Sequence, residues 1–98
     1  MPRKQLESEV RQLYEHLAAT RERPIEREAR RWIGEADAIT DDLVGPDIAD
    51  VDPGVIQNRI GYVAELLSNV EATGDSTADE HVEAARDLAN TILESNAE

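Results

Sequence analysis

Leu6, Val10, Leu13 and Leu17 are spaced four, three and four residues apart. That interval returns to one stripe of a helix and cannot line one face of a strand, whose period is two. The rhythm recurs three times further along. Ile25, Ala29, Trp32, Ala36, Ile39 and Leu43 form the second run; Ile56, Ile60, Val63, Leu67 and Val70 the third; Ala78, Val82, Ala85, Ala89 and Ile92, flanked by Leu88 and Leu93, the fourth. Pro24, Gly45-Pro46, Pro53 and Gly74 punctuate them. No segment alternates with period two, so the expected fold class is all-α.

Start and stop signals predict helices over about 3–20, 24–44, 53–73 and 77–95. Pro24 forces Arg23 out of helical geometry and fits the first position of the second helix. The longest connection is GPDIADVD, where Ile48 and Val51 are expected to cover the end of the core. Asp52 is a good N-cap ahead of Pro53 at the first helical position. Gly74 is expected to end the third helix, and Thr77 and Glu80 stand at capping-box spacing for the fourth. Such helices, about 30 Å long at 1.5 Å per residue, joined by short loops, predict one domain over 1–98, an up-down four-helix bundle. The shared apolar period of about 3.5 residues favours near-parallel, left-handed packing.

Composition narrows the chemistry. The 98 residues contain no cysteine, which removes disulfides, thiolate metal sites and cysteine nucleophiles together. MPRKQLESEV lacks an apolar leader, and no run approaches the roughly 18 apolar residues of a membrane span; the expected compartment is the cytoplasm. With 22 acidic against 10 basic residues the net charge is −12, and only one basic residue, Lys4, is lysine. This style resembles that of proteins from salt-accumulating haloarchaea. The resemblance covers the whole chain and implies a carboxylate-rich surface that stays hydrated in concentrated KCl; charge alone also opposes aggregation.

Few motifs carry chemistry. Di-iron bundles need inward Glu-x-x-His pairs, and neither His16 nor His81 follows a glutamate at that spacing. The acidic loop of Asp47, Asp50 and Asp52 lacks calcium-loop order, because Gly54 falls one position short of the required glycine. RQLYEH, residues 11–16, resembles the Arg-x4-His pattern of HEPN-type ribonucleases, which are helical and dimeric. The match covers six residues and would make Arg11 and His16 the catalytic pair. It departs from the family at Gln12 and in lying on the first helix. Five helical residues also turn the two side chains about 140° apart, so they could share a substrate only across a dimer. His16 and His81 otherwise read as boundary histidines bonded to a neighbour. No Ser or Thr has the partners of a nucleophile, and no cofactor or metal is expected.

Half of the basic charge lies in RERPIEREARRW, residues 21–32. Helical rotation clusters Arg27, Arg30 and Arg31, with Arg23 just before them, into a ridge opposite the apolar stripe. Glu26–Arg30 is a helix-stabilising i,i+4 pair worth some tenths of a kcal/mol. Residues 1–33 hold eight basic and six acidic groups, whereas 34–98 hold two and sixteen. Such polarity invites a second copy or another acidic protein. Nucleic acid is the alternative partner, but four phosphate contacts lose about three to four decades of affinity for a tenfold rise in salt. Desolvated Arg–carboxylate pairs withstand screening better. On the third helix Gly61, Ala64 and Ser68 form a small-residue face that admits close approach by a neighbour in the bundle or by another subunit. The sequence therefore leads to a non-enzymatic, self-associating protein–protein interaction module, a homodimer through Arg23, Arg27, Arg30, Arg31, Gly61, Ala64 and Ser68. A HEPN-like ribonuclease and a nucleic-acid-associated regulator are the alternatives.

Overall fold

A computed structural model describes residues 2–45 and 48–95. Four helices follow one another: α1 (Arg3–Ala18), α2 (Arg27–Leu43), α3 (Pro53–Ser68) and α4 (Ser76–Glu94), with a 3-10 turn at Ile48–Asp50. No strand occurs among the described residues. Each helix packs on its neighbours in sequence, and α1 closes the ring against α4, the arrangement expected of an up-down bundle. The molecule measures 37 × 26 × 17 Å.

The core follows the four apolar runs. Leu6, Val10, Leu13 and Leu17 of α1, Ile56, Ile60, Val63 and Leu67 of α3, and Val82, Ala85, Ala89 and Ile92 of α4 are all buried. Burial at about 25 cal/mol per Å2 of apolar surface drives this association. On α2 the stripe is rotated from the expected one. Ala29, Ala36 and Leu43 are buried as read, but Ile33, Asp37 and Thr40 join them, while Trp32 and Ile39 are half-buried at the edge. The reason is polar: Thr40 returns its hydroxyl proton to the Asp37 carbonyl at 3.0 Å, and Arg21 neutralises Asp37, so both tolerate burial.

Helix ends differ from the sequence expectation in three places. After α1 the chain makes successive turns, with Thr20 N–H on Leu17 O and Arg23 N–H on Thr20 O. Pro24 does not open α2; Glu26, in extended geometry, is its N-cap, and the Glu26 N–H donates to Thr73 O at 2.7 Å. A loop-to-loop hydrogen bond there replaces one more helical turn. Helix α3 stops at Ser68, five residues early, because the Arg86 guanidinium takes the Leu67 carbonyl at 2.6 Å and also the Val70 carbonyl. Gly74, at φ +85°, turns the connection instead of ending the helix. The fourth helix is capped by Asp75, which accepts from Ala78 N–H at 2.9 Å, and not by Thr77.

Two expectations at the opposite end agree with the structure. Asp52 caps α3 by accepting from Gly54 N–H at 2.7 Å, with Pro53 in the first turn. Ile48 is buried and Val51 packs on the core. Arg3 fixes that loop by donating to the Ile48 and Ala49 carbonyls at 2.9 Å and to Val51 O. Asp47, named above in the acidic loop, lies outside the described residues.

Candidate interaction surface

The arginines are divided between two tasks. Arg21 reaches Asp37 with two bonds of 2.6 and 2.8 Å and lies 5.5 Å from the Tyr14 ring centroid. Arg23 forms the same fork on Asp75, at 2.8 and 2.9 Å, tying the first connection to the cap of α4. These bidentate pairs are strong for their class. Each carboxylate raises its arginine above the ordinary value. The hydrogen bond from Arg23, then that from Ala78 N–H, pulls Asp75 down to about 2.

Arg30 makes no salt bridge to Glu26. Its guanidinium donates to the carbonyls of Thr20 at 3.3 Å, Arg21 at 3.1 Å and Arg23 at 2.6 Å. Thus Arg23 and Arg30, expected on an open ridge, are engaged in holding the first connection. Arg27 and Arg31 keep the outward crest of α2, both exposed. Arg31 stands 5.0 Å from the centroid of Trp32, within cation–π range.

Beside that crest runs a groove of about 340 Å3 between the start of α2 and the end of α3. Ala29, Trp32 and Val70 give it an apolar floor; Glu26, Glu28 and Glu71 give it carboxylates; Ser68 and Asn69 complete one side. Trp32 and Ser68 therefore line one groove, with Arg31 over the Trp32 ring. Ala64 and Ser68 also face α4, where they line a small hollow with Arg86 and Asn90, and Gln57 beside them donates to Ile92 O at 2.7 Å. The small-residue face is thus covered in part by the bundle's own fourth helix. At Gly61 a Cβ would enter open space, with no neighbouring helix within 4 Å.

Sequence reading missed two features. Val55 and Tyr62 are 44% and 56% exposed on the outer side of α3; their seven-residue spacing was a usable signal, hidden because attention follows the stripe that forms the core. The other is the meeting of the two histidines, whose Nδ1 atoms lie 3.0 Å apart; no local pattern links positions so distant. Arg11 is not brought to His16. It lines a shallow depression with Lys4, Glu7, Ser8, Gln12 and Glu15, whereas the His16 ring turns to α4.

Among the described residues no group of three or more His, Cys, Asp or Glu is arranged to hold a metal, and no helix is long and apolar enough to cross a membrane. A family model described as "Domain of unknown function (DUF8152)" matches residues 9–98, which takes in α2, α3, α4 and most of α1. No curated protein and no solved structure matches the chain.

Proposed function

The chain belongs to the DUF8152 family, and from its geometry we propose that it acts as a non-enzymatic protein–protein interaction module. It self-associates across the face centred on Trp32, in a salt-adapted cytoplasm. One observation carries the reading: the chain's single tryptophan is half-buried in an open groove whose lining includes Glu26, Glu28 and Glu71, with Arg31 over its ring and Arg27 exposed on the same helix. Tryptophan and arginine are the residue types that most often anchor interfaces. A two-fold axis through this face would bring Arg27 and Arg31 of one copy to Glu26, Glu28 and Glu71 of the other, and the same contact in reverse.

Salt favours this partner over nucleic acid. Only two of the four ridge arginines remain outward, so phosphate-driven binding loses half of its contacts before screening acts. A net charge of −12 repels a second copy at low ionic strength, and concentrated KCl removes that repulsion over distances beyond a few ångströms.

Light scattering in 2 M KCl tests the proposal, supported by the emission of the sole tryptophan. A dimer mass is expected, with a concentration-dependent blue shift of Trp32 fluorescence; the doubly reversed variant Arg27→Glu, Arg31→Glu remains monomeric with unshifted emission. A monomer mass for the native chain at every concentration would reject self-association.

A further inference from the structure

His16 and His81 are the chain's only histidines, one near the end of α1 and the other in the second turn of α4. Their ring centroids are 5.2 Å apart, the planes tilted by 46°, and the Nδ1 atoms face each other at 3.0 Å in a half-buried setting. Two like nitrogens cannot approach so closely lone pair to lone pair. A positive centre must lie between them, either a proton carried by one ring or a metal ion shared by both. Among the described residues neither ring has another hydrogen-bond partner to fix its tautomer.

We propose that His16 and His81 form a two-histidine site for a borderline divalent transition metal, Cu2+, Ni2+ or Zn2+, that clasps α1 to α4. An ion about 2.0–2.1 Å from each nitrogen sees two ligands 3.0 Å apart at about 95°. That angle is close to the cis position of a tetragonal Cu2+ or Ni2+ centre, and a further opening of about 0.3 Å reaches the tetrahedral angle of Zn2+. Both rings then carry their proton on Nε2. Imidazole suits these metals and discriminates against Mg2+ and Ca2+, which prefer oxygen.

With no third His or carboxylate in place among the described residues, water completes the coordination, so the ion exchanges and is not required for folding. The ligands are 65 residues apart in sequence, and a clip across so long a loop removes much conformational freedom from the unfolded chain. It also acts where the first helix meets the last, the seam that closes the bundle.

The test is titration of the full chain with NiCl2 in 2 M KCl at pH 7.5, followed by calorimetry, alongside electron paramagnetic resonance of the chain loaded with one equivalent of CuCl2. One Ni2+ per chain is expected, with the affinity falling at least tenfold in His16→Gln and in His81→Gln, and MgCl2 producing no histidine-dependent signal. The Cu2+ spectrum should show coupling to two imidazole nitrogens, a reading that uses the native chain and holds even if a variant fails to fold. Equal Ni2+ affinity in folded glutamine variants assigns the ions to surface carboxylates and overturns the proposal. A Cu2+ spectrum with fewer than two nitrogens overturns it too, leaving an Nδ1–H···Nδ1 hydrogen bond only.

Discussion

Replacing Gly34 and Gly61 by alanine should stabilise the protein, and Gly74 by alanine should do the reverse. Gly34 lies inside α2 and Gly61 inside α3, and of the glycines described only Gly74 has positive φ. A Cβ at either helical position meets no atom from the rest of the fold within 4 Å. The full difference in helix propensity is therefore available, about 0.8–1.0 kcal/mol per site. The two positions are on different helices and share no partner, so the double variant should gain about 2 kcal/mol. With an unfolding entropy of about 2.1 cal/mol/K per residue, that raises Tm by roughly 8–10 °C. Gly74 is at φ +85°, and its Cβ would approach the Glu26 Cγ to 3.1 Å; the left-handed backbone alone costs an L-residue about 1–2 kcal/mol. Urea titration in 2 M KCl, read by far-ultraviolet circular dichroism, measures all three with an unchanged slope. Urea is chosen because guanidinium would alter the ionic strength. Loss of stability at Gly34 or Gly61, or no loss at Gly74, refutes the reasoning. A Gly61→Ala chain that is more stable yet dissociates in light scattering would place the partner's backbone against Gly61.

Acid should act through Asp75. Its folded value of about 2 lies below the ordinary 3.8, so its contribution is fully present above about pH 4 and is lost as pH falls towards 2; Asp75→Asn, which keeps a capping oxygen, should flatten that limb of a stability–pH curve measured by urea titration. Ile60→Ala removes a fully buried side chain and should lower the unfolding free energy by about 2–5 kcal/mol, read from the same titrations. Arg86→Met keeps most of the stem but deprives the Leu67 and Val70 carbonyls of their donor. A loss of about 1–3 kcal/mol is expected, with faster amide hydrogen exchange in the last turn of α3 than elsewhere in that helix.

The four helices were readable because a 4-3 apolar rhythm is a local property of the chain. Even the choice of buried side was right for α1, α3 and α4. It went astray on α2, where Trp32 and Ile39 are larger apolar residues than Thr40 and Asp37. Only Arg21, sixteen positions from Asp37, makes the polar set tolerable inside, and no periodicity reports that pairing. The ridge had the same weakness. Helical rotation correctly put Arg27 and Arg31 outward, but it could not show that bare carbonyls at residues 20, 21 and 23 would lie beside Arg30. Each histidine was expected to bond a neighbour; that the neighbour was the other histidine depends on α1 lying against α4.

Arg3, Arg30 and Arg86 all grip peptide oxygens at or next to the end of a helix that is not their own. Two of the four rods thus have an end held from outside: Arg30 binds the turns after α1 and Arg86 the end of α3. The sequence of α3 alone would carry it on to about residue 73, and a guanidinium from α4 halts it at Ser68; an excised fragment should accordingly overrun its native boundary. Such punctuation from outside ties the limits of one helix to the side chains of another.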